Sequence, residues 1–414
     1  MRLFVPNSPK ASRSSLLILH VIGSLSPAAG GPPEAVRQLV AAQLQAGDGV
    51  EVVCLDNPAD SFLIGIGCPV HALGESYLGS YEFSPRLWSW LSANAGRFDG
   101  IVVNGIWTFP GVAVRSAARR AKKPYAVFVH GALDPWFKRQ YPLKHFKKLL
   151  YWPLQHAILH DALAVIFTSE TERDLAKTSF SRSNWNSAVV PIGINDPEEG
   201  VREGEGGPSN PADQIEAFYC RLPVLRDRRY LLFLARIHEK KGCDLLVEAF
   251  AKIAASVPDV DLVIAGPDQG GMQAKLQRLA GRLGITGRLH WPGMIGGDLK
   301  WGALRASNAF VLPSHQENFG VAVVESLGVG RPVLISNQVN IWPEIVEDGV
   351  GLAEEDTLCG TERLLRNWFG LSPAEQEAMA SGTRASFLER YALKRAVAGI
   401  NRIFGPSGQG PATR

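Results

Sequence analysis

Short apolar runs alternate with amphipathic stretches along most of the chain, and this alternation predicts an α/β fold. The segment "SLLILHVIG" is an apolar run of strand length that leads into a loop containing glycine. The next segment, "GPPEAVRQLVAAQLQAG", repeats apolar residues at helical spacing. Further strand-like runs follow in "VEVVCL", "GIVVNG", "YAVFVHG" and "LAVIFTS", and Ser169-x-x-Glu172 predicts a capping box for the helix after the last of them. The pattern indicates a doubly wound parallel sheet over residues 1–197.

The second half of the chain repeats the same architecture after a break. Residues 198–228 are rich in Gly, Pro and charge, and we interpret them as an interdomain linker with a short helical element near 213–220. The alternation restarts at "YLLFLARI" and predicts a second doubly wound sheet over 229–385. A C-terminal helix over 386–405 is expected to cross back to the first domain, and the tail, 406–414, is expected to be disordered.

Composition and charge exclude several classes of protein. The 414 residues are 46% apolar and 20% charged, with a formal net charge of +3, which is too small to indicate nucleic-acid binding. Residues 1–197 carry 19 basic and 14 acidic side chains, so the first half is the basic one. Five scattered cysteines without a C-x-x-C pair argue against a zinc site or a disulfide scaffold and favour a reducing compartment. We therefore expect a cytoplasmic protein.

The N-terminal segment has two interpretations. Its early positive charge, short apolar stretch and following small residues are typical of a signal peptide. His20 interrupts the apolar stretch, however, and "LLILHVIG" also fits a buried parallel strand. We favour the strand.

Two carboxylates stand out in the segment "HQENFGVAVVESLG". Because "AFVLPS" before it is a predicted strand, Glu317 lies in the loop at the carboxyl end of that strand, and Glu325 lies about one and a half turns into the next helix. An ionised Glu among apolar residues is costly unless it is hydrogen-bonded. Gly320 permits close approach of a ligand, and the N–H groups of Phe319, Gly320 and Val321 at the helix start suit a phosphate.

Positive charge is expected at the same edge of the second sheet. In "FLARIHEKKGCDLL", Arg236 ends a strand and Lys241-Gly242 opens the next helix. These cations could hold a diphosphate without a metal, although they could also be solvated surface charges. Asp259-Val260-Asp261 is the only D-x-D, and we interpret it as surface caps rather than a metal site. No metal is expected.

Together these segments resemble the retaining glycosyltransferases of family 4 (group 1 glycosyltransferases), of the bacterial surface-polysaccharide type. The R-x4-K-G and E-x7-E patterns of that family occur here in the expected order. "GGPPEAV" at 30–36 is similar to the family's N-terminal glycine loop, and "VHGALDPW" at 129–136 to its active-site histidine segment. The resemblance implies the GT-B fold, in which two Rossmann-like domains face each other across a cleft, with the acceptor on the N-terminal domain and the nucleotide-sugar on the C-terminal one.

The resemblance also implies residue roles. Glu325 should accept hydrogen bonds from the ribose of a nucleotide-sugar, and Glu317 should bind hydroxyls of the donor sugar. Arg236 and Lys241 should hold the diphosphate, and His130 should face the donor sugar from the opposite domain. The remaining donor-binding positions implied are Gly31, Asn318, Phe319, Gly320 and Val321. Two simpler interpretations remain open: Glu325 could pair internally with Arg331, and His130 could be a core histidine at a strand end.

The implied activity is that of a metal-independent, retaining hexosyl- or related glycosyltransferase (EC 2.4 class). It would take a UDP- or GDP-sugar as substrate, without a cofactor, and transfer the sugar to a glycan or lipid-linked glycan in exopolysaccharide, O-antigen or capsule biosynthesis. A sugar-nucleotide epimerase of the same fold is the alternative. A dinucleotide-binding oxidoreductase is disfavoured because "GSLSPAAGG" and "GPDQGG" lack G-x-G-x-x-G.

Residues 136–152 suggest where such an enzyme would work. They contain five basic side chains and no acid, interleaved with aromatic residues that include Trp152. Such a segment suits peripheral contact with an anionic membrane, here the inner face, or a solvated basic helix beside the acceptor cleft.

Overall fold

The computed structural model describes residues 15–199 and 210–405, and it contains two parallel β-sheets. The strands of the first sheet are β1 Leu17–Ile22, β2 Gly49–Cys54, β3 Val70–Ala72, β4 Gly100–Asn104, β5 Tyr125–Phe128, β6 Ala164–Phe167 and β7 Ser187–Val189. Their spatial order is β3-β2-β1-β4-β5-β6-β7, so the chain changes direction across the sheet between β1 and β4. In sheets of this kind ligands bind at such a point, beyond the carboxyl ends of the strands.

The helices of this N-terminal domain connect successive strands. They are α1 Gly31–Gln45, α2 Pro85–Asn94, α3 Phe109–Ala121, α4 Trp136–Gln140, α5 Pro142–Asp161 and α6 Glu170–Ala176. The predicted N-terminal strand is β1, and it lies in the middle of the sheet with its last five residues buried.

The second sheet repeats the design with six strands. They are β8 Arg229–Leu234, β9 Val260–Ala265, β10 Leu289–Gly293, β11 Ala309–Leu312, β12 Val333–Ser336 and β13 Gly351–Glu354, in the order β10-β9-β8-β11-β12-β13. The helices are α7 Pro211–Arg221, α8 Cys243–Ile253, α9 Met272–Arg282, α10 Gly297–Ala306, α11 Val321–Gly328, α12 Trp342–Glu347, α13 Leu358–Gly370, α14 Pro373–Ser386 and α15 Leu393–Phe404. The two doubly wound sheets confirm the predicted fold class.

The helix predicted near 213–220 is α7, and it packs on the C-terminal domain. Phe218 is fully buried in the core of that domain, and a Cβ at Gly302 on α10 would collide with the backbone carbonyl of Gln214. This close packing places α7 on the second domain. Residues 200–209 of the region interpreted as a linker, and the tail 406–414, lie outside the described residues.

The last helix, α15, returns to the N-terminal domain. Ile400 and Phe404 pack in the same cluster as Ile18 of β1 and Val102 of β4. Gly100 leaves room for the Phe404 ring, which a Cβ at that position would strike. The chain thus returns at α15 from the C-terminal domain to the N-terminal one.

No helix in the described part of the chain combines the length and apolar character needed to cross a bilayer.

Candidate active site

Residues 313–320 connect β11 to α11 and are called the donor loop, after the role that the resemblance implies for them. Gly320 has φ of 80°, in the left-handed region, and begins α11 without a side-chain cap. Because glycine adopts this conformation without strain, the chain turns sharply into the helix at this point. The Phe319 side chain is only 2% exposed and its ring meets Tyr391, so Phe319 can offer a ligand its backbone but not its ring.

The two carboxylates of the E-x7-E pattern are each paired with a lysine. Glu317 accepts a hydrogen bond from Lys241, and Glu325 Oε1 accepts one from Lys300 Nζ at 2.7 Å. The pairing of Glu325 with Arg331 that the sequence left open is not the one that forms. Each pair is largely shielded from water, with side-chain exposures of 12–23%. Each lysine therefore supplies the hydrogen-bond partner that a carboxylate needs among the apolar side chains around it.

The R-x4-K-G segment reaches the donor loop through a tight backbone contact. A Cβ at Gly242 would overlap the carbonyl oxygen of Pro313, which explains why this position is a glycine. The Lys240 carbonyl accepts hydrogen bonds from the Ser314 hydroxyl and the His315 N–H, both at 2.9 Å. The strand end and the donor loop are therefore joined, and Lys241 is carried to Glu317. Arg236, at the other end of the segment, donates to Gln269 Oε1 at 3.2 Å.

His130 lies on the opposite side of the cleft, just beyond β5. Its backbone is left-handed, with φ of 47°, and its ring stacks on Phe128 with centroids 4.2 Å apart. Nε2 lies 3.3 Å from Asn104 Oδ1, whereas the buried Nδ1 has no hydrogen-bond partner among the described residues. Burial, helped by nearby His20, lowers the pKa of His130 to about 4. The ring is therefore neutral at neutral pH, so it can share a hydrogen bond but carries no charge.

Three contacts join the two domains at this place. Gln316 donates to Asp134 Oδ2 at 2.9 Å, and both residues are buried. Asn318 donates to Thr168 Oγ1 at 3.2 Å. A Cβ at Gly131 would meet the Asn318 side chain at 2.8 Å, so glycine next to His130 lets the donor loop approach.

Glu172 supports the N-terminal side of these contacts. The N-cap half of the predicted capping box forms, since Ser169 Oγ accepts from the Glu172 N–H at 3.1 Å. The Glu172 carboxylate does not return to Ser169; instead it accepts from the Thr168 N–H and hydroxyl and from the Gly131 N–H, at 2.6–2.7 Å. Burial raises the pKa of Glu172, and these hydrogen bonds oppose that rise. Glu172 thereby holds in place both the Gly131 backbone and the Thr168 hydroxyl that accepts from Asn318.

The two sides line a cleft of about 410 Å³. Its lining includes seven of the residues expected to bind the donor: Gly31, His130, Glu317, Asn318, Phe319, Gly320 and Val321. Arg236, Lys241 and Glu325 are not part of this lining, and of these Lys241 is linked to it through Glu317. The structure thus brings the N-terminal glycine loop, His130 and the donor loop together around this cleft.

Two lysines at this site carried no signal in the sequence. Lys300 lies on α10, 25 positions before its partner Glu325, and no motif marks it. Lys240 precedes the matched lysine, and its Nζ lies 4.8 Å from the centre of the Trp136 ring across the cleft. Burial and the adjacent Lys241 lower the pKa of Lys240.

The D-x-D sequence proves to be part of an ion-pair cluster. Asp261 is 1% exposed and accepts from Arg228, Arg288 and His290 at 2.6–2.9 Å, so the expectation of surface caps is wrong for this residue. Both carboxylate oxygens of Asp261 are thus hydrogen-bonded by these three side chains, and Asp259 pairs with Arg229. Within the described ranges, no group of three or more His, Cys, Asp or Glu side chains is arranged to hold a metal ion.

The sequence and the structure both match known glycosyltransferases. The family model described as glycosyl transferases group 1 matches residues 221–358, and the glycosyl transferase 4-like domain matches residues 30–193. A D-inositol 3-phosphate glycosyltransferase of Streptomyces scabiei is 34% identical over 146 residues, which are 34% of this chain and 32% of that protein. The match therefore spans about a third of the length of such curated relatives.

Solved structures match over nearly the whole fold. Anabaena Alr3699/HepE, crystallised with UDP, superposes with a TM-score of 0.74 at 18% identity and covers 94% of this chain and 99% of its own. Sucrose-phosphate synthase from Thermosynechococcus elongatus superposes with a TM-score of 0.73 at 18% identity, covering 94% and 98%. With both domains matched by family models and both sheets by these structures, the chain belongs to the group 1 glycosyltransferases and has the GT-B fold.

Proposed function

We propose that this protein transfers a sugar from a nucleoside-diphosphate sugar to a hydroxyl of a glycan or lipid-linked glycan. The observation that carries the proposal is the pairing of each carboxylate with a lysine, with Glu317 lining a cleft that His130 faces from the other domain. A polyol satisfies carboxylates with hydroxyl donors, and lysines satisfy phosphates. In this proposal Glu325 binds the ribose, Glu317 the donor sugar, and Arg236 and Lys241 the diphosphate.

The reaction follows from where charge develops. The bond between the anomeric carbon and the diphosphate oxygen breaks, and its electron pair leaves with the diphosphate. The acceptor hydroxyl oxygen bonds to the anomeric carbon from the same face, and its proton passes to the departing diphosphate oxygen. Arg236, Lys241 and the N-terminus of α11 stabilise the leaving charge, which is the large electrostatic contribution in such a site. Neutral His130 supports the donor sugar by hydrogen bonding.

A donor screen tests the proposed activity. The protein is incubated with UDP-, GDP- and ADP-sugars, and release of the nucleoside diphosphate is measured with and without added sugars as acceptors. We expect release from at least one donor, UDP-sugars being the first choice because Anabaena HepE was crystallised with UDP. Conversion of the nucleotide-sugar into its epimer, without release of the nucleoside diphosphate, would favour the epimerase instead. A change in NAD(P)H absorbance would favour an oxidoreductase.

The stereochemistry has its own measurement. We propose retention, as the resemblance implies, and proton NMR of the first product formed from an α-linked donor should show an α-linkage. A β-linked first product would contradict same-face attack.

We further propose that the N-terminal domain docks on an anionic membrane through α5, at the inner face in exopolysaccharide, O-antigen or capsule biosynthesis. Leu143, Phe146 and Leu150 share one face of the helix and are 82%, 65% and 74% exposed. Lys147 lies within this stretch, and no acidic residue occurs between Asp134 and Asp161. Exposed apolar side chains flanked by lysines suit the boundary between headgroups and acyl chains. Trp152, which the sequence placed among the interfacial aromatics, is buried and does not contribute.

Vesicle co-sedimentation tests this docking. Wild-type protein should sediment with phosphatidylserine-containing vesicles, less so as salt rises, and not with neutral ones. Changing Leu143, Phe146 and Leu150 together to Ser should abolish sedimentation. The matched control changes Ile64 and Met294, which are 82% and 80% exposed elsewhere, and should sediment like wild type. Equal sedimentation of both variants would contradict docking through α5.

A further inference from the structure

A carboxylate lies over the carboxyl end of β1, on the N-terminal side of the cleft. Glu82 follows the short turn Gly79–Tyr81, and its own backbone is left-handed, with φ of 59°. A Cβ at Gly23, the residue after β1, would collide with the Glu82 carboxylate. Non-glycine residues adopt such a backbone at a cost in free energy, which has to be offset by the surrounding structure. The fold therefore holds this acid in place over the strand end.

The neighbours of Glu82 use only part of the hydrogen-bonding capacity of its carboxylate. Burial raises its pKa; a hydrogen bond with the Thr108 side chain opposes this rise, and the charge of Asp56 adds to it. Thr108 is the N-cap of α3, but its side chain makes no capping hydrogen bond. Asp56, by contrast, is committed to its own loop, because it accepts from the Ser24 hydroxyl at 2.5 Å and the Leu25 N–H at 2.7 Å.

Glu82 lies at the same carboxyl edge of the first sheet as His130. Ile22, the residue before Gly23, pairs in register with Asn104 on the adjacent strand, and Asn104 contacts His130 Nε2. Neighbouring strands are about 4.8 Å apart, and β4 lies between β1 and β5, so about 10 Å separates the end of β1 beneath Glu82 from the end of β5 that leads to His130. Two other residues that follow strands at the carboxyl edge of this sheet also have a left-handed backbone, Trp107 with φ of 72° and His130. Strained residues of this kind concentrate at binding sites.

We infer that Glu82 accepts hydrogen bonds from hydroxyl groups of the acceptor sugar, beside the hydroxyl that becomes glycosylated, and so selects an acceptor ring that is neutral or carries an amino group there. The inference rests on the proposed transfer reaction and deepens it by naming the acceptor class. An ionised carboxylate only accepts hydrogen bonds, so hydroxyl and ammonium groups suit it. A phosphate offers no donor at neutral pH and is repelled by the like charge. Glu82 is a specificity residue, since the proton of the reacting hydroxyl leaves with the diphosphate.

The variant Glu82→Gln separates this role from a structural one. Gln keeps the shape of Glu and one carbonyl oxygen for the Thr108 hydroxyl, but it loses the charge. The matched control is Glu75→Gln, because Glu75 is exposed in the same connection between β3 and α2. Transfer is measured with the donor found in the nucleotide-sugar screen and with glucose, glucosamine and their 6-phosphates as acceptors. Hydrolysis of the donor without acceptor reports whether the donor side is intact.

The expected result is a selective change in the acceptor KM. For Glu82→Gln it should rise about tenfold or more, as for the loss of a hydrogen bond to a charged group, while donor hydrolysis stays within about twofold of wild type. Glu75→Gln should leave both unchanged. Wild type should use the parent sugars in preference to the phosphates.

Four outcomes would overturn the inference. They are an unchanged acceptor KM in Glu82→Gln, a parallel fall of transfer and hydrolysis in that variant, better use of the phosphates by wild type, and no response of wild type to any neutral or amino sugar at high concentration. Failure of the proposed function itself looks different, because no nucleoside diphosphate would then be released from any nucleotide-sugar, with or without an acceptor.

Discussion

Replacement of Glu325 by Ala tests the donor side of the site. Glu325 is enclosed on α11, and Oε1 holds Lys300 Nζ at 2.7 Å. A carboxylate has about four lone-pair positions on its two oxygens, so Glu325 can keep this lysine and still accept hydrogen bonds from the ribose hydroxyls. Ala at this position removes the acceptor and leaves Lys300 without its partner.

The expected loss of nucleotide affinity follows from the ribose hydrogen bond, and the expected loss of stability follows from the ion pair with Lys300. A hydrogen bond to a charged group contributes about 1.5–3 kcal/mol, so Kd for the nucleotide should rise about tenfold to 150-fold. The stability of the fold should change far less. Lys300 keeps 23% of its side chain exposed and lies 4.2 Å from the centre of the Trp301 ring, so its ammonium group can turn to water. Partly exposed ion pairs contribute about 1 kcal/mol or less.

Calorimetric titration with UDP measures the effect, because UDP is the nucleotide bound in Anabaena HepE. The control is Glu389→Ala, at an exposed position, which should bind UDP like wild type. Adding Lys300→Met to Glu325→Ala should not restore binding if the lost contact is with ribose. Glu317→Ala should keep UDP affinity but slow transfer, since its proposed partner is the sugar. If both Glu325→Ala and Glu317→Ala bound UDP and turned over like wild type, the assignment of the two acids would be refuted.

Three further predictions concern metal, acid and stability. Activity should survive excess EDTA if Arg236 and Lys241 hold the diphosphate as proposed; complete loss that manganese restores would contradict this. Burial lowers the pKa of His20 to about 4, so the unfolded chain binds this proton more tightly and stability should fall by about 3 kcal/mol as pH drops from 6.5 to 4. Urea titrations of wild type and His20→Gln across this pH range measure the free energy of unfolding. Its dependence on pH should be weaker in the variant. Asp261→Ala should lower the free energy of unfolding by about 3 kcal/mol in the same assay at neutral pH, because Arg228 and Arg288 lose their shared partner. A decrease below about 1 kcal/mol would show that the ion-pair cluster is not stabilising.

The order of strands and helices and the family could be predicted from the sequence alone. The strands of a doubly wound sheet are buried on both faces, so their sequences are nearly continuous apolar runs. In β9, for example, all six residues are buried. Glu317 and Glu325 could be singled out because their local spacing places one at a strand end and the other in the helix that follows.

Only the tertiary structure decided the partners of these residues. Lys300 reaches Glu325 from another helix, and Glu172 reaches Gly131 from 41 positions away. Glu82 lies over Gly23 although nothing in its sequence neighbourhood marks it. Asp261 is buried rather than exposed because Arg228, Arg288 and His290 converge on it. A local pattern specifies which face of an element is apolar, but charge pairing depends on distances between elements that only packing fixes.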